Sequence, residues 1–340
     1  MEKRIIITGY GVVAKEFCKL LLSHSESIKN MYGFHPKVTG IIGTKGMLYE
    51  AEGISLDKLM NYDVGSNALT QYAEEKNIFL VPPKWNGDVL VECTPTDIKT
   101  GEPGLSYILN AIEAGMAIVS ASKGALVHSF KRIKEAARKK GVSMKFSGAT
   151  AAALPTMDIG GYSLAGATIT RIEGILNGTT NFILTTMADN NLSFDEALKV
   201  AQMKGIAERN PSLDVKGYDS AGKILLLTNG LLETSFSLND IQIEGIEHVT
   251  KEKINEAQEK NERIKLLASV ILKNEHLSLE VRPRTIPPSN PLYYVNGTNK
   301  GIVFETQEMG TVCVTGGASH PRGAAAAVLK DVINLYRRDL

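Results

Sequence analysis

Residues 4–14 read Arg4-Ile5-Ile6-Ile7-Thr8-Gly9-Tyr10-Gly11-Val12-Val13-Ala14. A short β-branched run meets two glycines, and an apolar periodic segment then continues to Leu22. This order predicts a strand, a tight turn and a helix, with the spacing G-x-G-x-x-A. Gly9 makes the turn, Gly11 lets the backbone approach a pyrophosphate, and Ala14 lets the helix lie close on the strand. Val12 and Val13 fall in the first helical turn, where free amides and the helix dipole favour phosphate. The stretch therefore points to a dinucleotide-binding domain.

Working outward, further strands are expected over Lys37 to Ile42, Val89 to Cys93, Ala117 to Ala121 and Val142 to Phe146. Helices are expected over Gly104 to Ala114 and Ser129 to Lys139. Such alternation predicts an α/β fold with a doubly wound parallel sheet. The less regular span from Asn30 to Trp85 is expected to be an inserted loop over the cofactor. After the second strand comes Gly43-Thr44-Lys45-Gly46, where the fingerprint usually places an acid that binds the ribose. Without that carboxylate, Thr44 and Lys45 suit a 2′-phosphate, so NADP is expected over NAD. Thr94 and Ser122-Lys123 follow later strands, and ligands of parallel sheets bind at those ends.

The 340 residues are 43% hydrophobic and 22% charged, ordinary for a globular enzyme of two or more units. A net charge of +1, with lysines and arginines scattered, gives no footprint for nucleic acid or membrane. The partner expected is a small molecule. No apolar run approaches the roughly 18 residues of a membrane span, and Met1-Glu2-Lys3-Arg4 does not open a signal peptide, so a cytoplasmic location is expected. Cys18, Cys93 and Cys313 lie far apart, which excludes a disulfide framework or CxxC motif, and the histidines lack zinc-hydrolase spacing.

The character changes near Ala149, and Thr168 to Leu176 alternates as a strand before Asn177-Gly178-Thr179-Thr180-Asn181. This polar turn suits helix capping or the binding of a carboxylate by backbone amides. A helix is expected over Phe182 to Ala188, and another after the capping box Ser193 to Glu196. The loop GIAERNPSLDVKGYDSAGK, residues 205–223, then carries Glu208, Asp214, Asp219 and Lys223 into an apolar helix. With Asp219 in the first turn, Lys223 lies on the same face. An exposed ion pair and a polar ligand site both fit that spacing. Strands over Ile241 to Ile246, Arg263 to Leu272, His276 to Arg284, Gly301 to Glu305 and Thr311 to Val314 suggest a mixed sheet that pairs across a homodimer. A final helix, Arg322 to Arg337, is expected to pack on the first domain. The division expected is 1–150 plus 316–340 for the nucleotide, and 151–315 for substrate and dimerisation.

Taken together, Gly9-x-Gly11-x-x-Ala14, Glu92-Cys93-Thr94, Ala121-Ser122-Lys123, GILNGTTNFIL from Gly174, the 208–223 cluster, and Asn290-Pro291-Leu292 before Gly316-Gly317-Ala318 resemble homoserine dehydrogenase. The resemblance spans essentially the whole chain. It implies reversible reduction of L-aspartate 4-semialdehyde to L-homoserine with NAD(P)H, on the route to threonine and methionine. It further implies that Lys223 is the proton donor, with Asp219 orienting lysine or substrate. Glu208 and Asp214 match acceptors of the substrate ammonium, Lys123 a second lysine near the reacting centre, and Gly178 and Thr179 the turn beside substrate and nicotinamide. Gly205 and Gly317 complete its cofactor set.

The chain also departs from the family pattern. Ser147 stands where a carboxylate is usual, in a turn whose carbonyls at Thr150, Ala152 and Leu154 correspond to sodium ligands; its loss weakens the expectation of bound sodium. Ile206 and Asn210 replace a frequent aromatic and a frequent aspartate. No aspartate kinase or C-terminal regulatory domain is expected, and hence no feedback through one. The alternatives are a related amino-acid carbonyl dehydrogenase and a catalytically silent nucleotide-binding homologue.

Overall fold

Ile5, Ile6 and Ile7 of β1 (Glu2–Thr8) are fully buried, as befits a strand inside a parallel sheet covered on both faces. The computed structural model describes residues 1–273, 276–317 and 320–337. It divides into two units, Met1–Ala152 with His320–Leu340, and Ala153–Ser319. Ala318, quoted in the family motif, lies outside the described residues.

In the first unit β1 is followed by α1 (Val12–Tyr32), β2 (His35–Gly43), β3 (Gly46–Tyr49), α2 (Leu56–Leu59), α3 (Ser66–Glu75) and β4 (Val89–Glu92). Then come α4 (Gly104–Glu113), β5 (Ala117–Ser120), α5 (Gly124–Lys140) and β6 (Met144–Lys145). The sheet order is β3-β2-β1-β4-β5-β6. It is parallel except at β3, which turns back antiparallel against β2. The order reverses between β1 and β4, so the loops after these strands flank the crevice where such sheets bind ligands. The C-terminal helix, Pro321–Tyr336, packs on α1 and buries Ala325, Val328 and Val332 in the same core.

The span Asn30 to Trp85, expected as an inserted loop, instead holds the end of α1, β2, β3, α2 and α3. Met47, Leu48, Leu69 and Tyr72 bury this wall against the core. A four-residue strand is too short to show a period. The helix expected from Ser129 starts at Gly124; Ser129 interrupts it with φ −139° and ψ 36°, which marks a kink.

The second unit contains α6 (Thr156–Asp158), β7 (Ile169–Ile175), α7 (Gly178–Asn190), α8 (Phe194–Met203), α9 (Ser212–Val215) and α10 (Tyr218–Leu231). Next are β8 (Ile241–Ile243), α11 (Lys251–Glu259), β9 (Arg263–Lys273), β10 (His276–Ile286), β11 (Lys300–Thr306) and β12 (Gly310–Gly316). Its sheet runs β12-β11-β7-β9-β10-β8 and is antiparallel apart from the β8 and β10 pair. Both α7 and α10 pack on β9. α10 buries Ser220, Ala221, Gly222 and the run Ile224 to Asn229, so it is covered almost all round. α7 begins at Gly178, four residues before the expected start: the NGTTN stretch is its cap and first turn.

Candidate active site

A cavity of about 700 Å³ opens in the first unit at the ends of β1, β2 and β4. It is lined by Gly9, Gly11, Val12, Val13, Thr44, Lys45 and Thr94 of the sequence-derived set. Gly9 has φ +79°, and a β-carbon there would stand 2.7 Å from Cys93 O. Gly11 caps α1 in extended conformation, and nothing lies within 4 Å of where its β-carbon would be. The turn is thus closed on the sheet side and open on the ligand side, which fits a pyrophosphate against the first amides of α1. Ala14 is fully buried and acts through packing, the role its small size suggested.

Below this crevice Glu92 is fully buried. Its carboxylate accepts from Thr94 N at 2.8 Å, from Thr94 Oγ1, and from Ser120 Oγ at 2.8 Å. Burial pushes the carboxyl pKa up, and these hydrogen bonds oppose it. Glu92 therefore fixes Thr94 at the strand end. At the far wall Thr44 N donates to Ser66 Oγ at 2.7 Å, and Lys45 Nζ donates to Asn67 Oδ1 at 2.9 Å. Ser66, Asn67, Tyr10 and Tyr107 also line the cavity, and among the described residues no carboxylate lines it. Ser122 and Lys123 lie past β5, at the entrance to α5. Ser122 Oγ is 3.2 Å from Thr96 Oγ1, which links the loops after β4 and β5.

In the second unit the charges form a cluster around one amide. Lys223 Nζ donates to Asp219 Oδ2 at 2.6 Å and to Leu176 O at 2.8 Å. The side chains of Lys223 and Asp219 are only 13% and 14% exposed, so the solvated-pair reading of this spacing does not hold. Asn177 Nδ2 donates to Asp214 Oδ1 at 2.6 Å and to Asp219 Oδ2 at 2.8 Å. Glu208 lies exposed on the loop between α8 and α9, outside this bonded group. Gly178 is the buried first residue of α7, and Thr179 Oγ1 donates to Ile206 O at 3.2 Å. Gly205, at φ +68°, terminates α8, and Gly317, at φ +69°, approaches Leu154.

A second buried lysine contrasts with the first. Lys265 on β9 is 2% exposed and donates to Val295 O at 2.6 Å and to Asn181 Oδ1 and Asn296 Oδ1, both at 3.1 Å. All three acceptors are neutral. Burial, helped by nearby Arg263, pushes its pKa down to about 7.

In the turn after β6 the polar groups around Ser147 bond one another. Ser147 N and Oγ both donate to Asp331 at 2.8 Å, and the Lys330 ammonium donates to Ser147 Oγ at 2.8 Å. The missing carboxylate is supplied by the C-terminal helix, but an ammonium comes with it. Leu154 O accepts from Thr156 N at 2.8 Å, and Ala152 holds φ +53°.

Comparison with known proteins places these features in a family. Residues 155–333 match the homoserine dehydrogenase model, and residues 9–147 match the homoserine dehydrogenase NAD-binding domain. The chain belongs to the homoserine dehydrogenase family. It is an oxidoreductase with a nucleotide-binding domain. It is 34% identical over 335 residues to homoserine dehydrogenase of Methanocaldococcus jannaschii, covering 98% of both chains. It is 29% identical to an NAD(+)-dependent homoserine dehydrogenase of Pseudomonas canavaninivorans, covering 99% of this chain and 97% of that one. The crystal structure of a homoserine dehydrogenase from Thiobacillus denitrificans superposes with TM-score 0.83 at 26% identity, over 99% of this chain and 74% of that one.

Two parts of the site escaped the sequence reading. Ser66 and Asn67 open α3 after Gly65 (φ +89°), and only the helix start was visible as a signal. Asn177 looked like a cap and is one, but its second set of contacts reaches residues 37 and 42 positions away.

Proposed function

We propose that the chain catalyses the reversible interconversion of L-aspartate 4-semialdehyde and L-homoserine, with NADP preferred over NAD. The observation that carries the reading is the Lys223 ammonium, held between Asp219 and Leu176 O inside a family of that activity. The nucleotide, when bound, supplies a hydride to the carbonyl carbon or takes one from the alcohol. Negative charge then grows on the carbonyl oxygen, and Lys223 stabilises it and delivers the proton that completes the alcohol. In the opposite direction the neutral Lys223 amine takes that proton. Asp219 orients the amine, while Asp214 and Glu208 receive the substrate ammonium. Lys123 is assigned to the reacting centre, Gly178 and Thr179 to substrate contact, and Ser122, Gly205 and Gly317 to nucleotide contact. No cation takes part in this scheme.

The nucleotide preference is supported by Thr44, Ser66 and Lys45 in a cavity lined without a carboxylate. The working unit is a cytoplasmic homodimer paired through the second sheet, whose groove exposes part of Ile271 and Leu272 among charged groups. Steady-state assays with L-homoserine and each oxidised nucleotide test the reading. Turnover with NADP at least equal to that with NAD is expected. Absence of homoserine turnover would discard the activity and favour a related carbonyl substrate, and strong preference for NAD would discard the nucleotide assignment alone.

A further inference from the structure

We propose that Asn177 is a positioning residue of the reaction, whose side-chain amide sets the spacing of Asp214 and Asp219 and so aims Lys223. This deepens the reading above and rests on its assignment of those three residues.

The amide's orientation is fixed by chemistry. Asn177 Oδ1 accepts from Thr180 N at 2.8 Å, as the N-cap of α7. A backbone N–H can only donate, so the oxygen must face the helix and the NH₂ must face away from it. That NH₂ carries two protons, and it meets two acceptors, Asp214 Oδ1 and Asp219 Oδ2, at 2.6 and 2.8 Å. Each proton has one carboxylate.

The same Asp219 oxygen accepts from Lys223 Nζ at 2.6 Å. It is therefore pinned between a neutral donor and the ammonium. Two carboxylates converging on one point repel each other, and a neutral amide holds both without adding a cation that would compete with Lys223 or with a substrate ammonium. The residue is only 5% exposed, so water does not replace it cheaply. Leu176, its chain neighbour, contributes the other acceptor of Lys223. Residues 176 and 177 thus set both contacts of the lysine from the end of β7.

No other side chain performs both tasks. Serine can cap α7 but lacks two donors on the far side, glutamine is one methylene longer, and aspartate caps well but presents a third carboxylate to the other two. Capping α7 is therefore only half of this residue's role.

The test uses the full chain with N177D, N177S and K223A, measuring kcat, KM for homoserine and NADPH affinity. A hydrogen bond to a charged group predicts a kcat loss of about 10-fold for N177S, and about 100-fold or more for N177D, where attraction becomes repulsion. NADPH affinity should stay within about twofold, because serine and aspartate still cap α7 and the residues of the first unit are untouched. A purely capping role predicts the reverse order, since aspartate caps as well as asparagine and keeps its shape. An N177D enzyme with near wild-type kcat overturns the inference. If N177D does not fold, N177S decides: unchanged kcat overturns it and a tenfold fall supports it. Loss of turnover in K223A with both Asn177 variants intact would sink this inference alone, whereas an active K223A would sink the assignment beneath it.

Discussion

Lys223 and Lys265 are both buried in the second unit, yet their surroundings are opposite in kind. Lys223 has a carboxylate at 2.6 Å and lies in the first turns of a helix whose entry loop carries the other charges. Lys265 lies within a sheet strand and bonds three neutral oxygens, one from α7 and two from the segment between β10 and β11. A carboxylate partner orients an amine for proton delivery, while a cage of carbonyls spends the amine's N–H bonds on holding elements together. Burial alone does not mark a catalytic lysine; the partner set does.

The largest expected break in this comparison is Lys223→Ala, which should lower kcat by about 10³-fold as loss of a general acid, with NADPH binding retained. Turnover and nucleotide fluorescence titration measure the two sides. Lys265→Met should do the opposite. It leaves three acceptors without their donor and should cost on the order of 2 kcal/mol of stability while kcat changes little. Urea melts and rates on the same preparation would separate the two lysines, and a dead K265M enzyme that is stably folded would erase the distinction.

The pH dependence of stability sharpens it further. Lys265 titrates near 7 when folded, against 10.5 for an ordinary lysine. The unfolded chain therefore binds more protons between these values, and this residue adds stability as pH rises through that window. Below about 7 both states are protonated and the burial penalty is in full force. Melts at pH 6.5, 8 and 9.5, conditions spanning about three units, should show the gap between wild type and K265M widening with pH. A gap that narrows would contradict the assignment. The smallest effect is expected at the other unit, where exposed Lys45 should shift the NADP over NAD ratio by only about fivefold on replacement by alanine. Paired kcat/KM values measure it.

The legible features are those carried by residues close in sequence. Gly9, Gly11 and Ala14 lie in one turn, Ser193 and Glu196 in one capping box, and Asp219 and Lys223 one helical turn apart. Each could be read because three or four positions set the contact. By contrast, Asp331 completes Ser147 from 184 residues away, and Lys265 finds its acceptors at 181, 295 and 296. An Arg-Ile-Lys-Leu-Leu strand gives no sign that its lysine turns inward. The wall formed by β3 and α3 was missed for another reason: its short elements are stabilised by packing of Met47 and Tyr72, and that packing has no local signature. The acid missing after β2 was readable, but the Ser66 and Asn67 that tie down Thr44 and Lys45 were not.

The central claim, that Lys223 transfers the proton, is tested most directly by adding primary amines to the Lys223→Ala enzyme. The account predicts a rate that rises with amine concentration and varies with amine basicity, at constant NADPH affinity. A rate independent of amine, in a variant that still turns over near the wild-type rate, would contradict it.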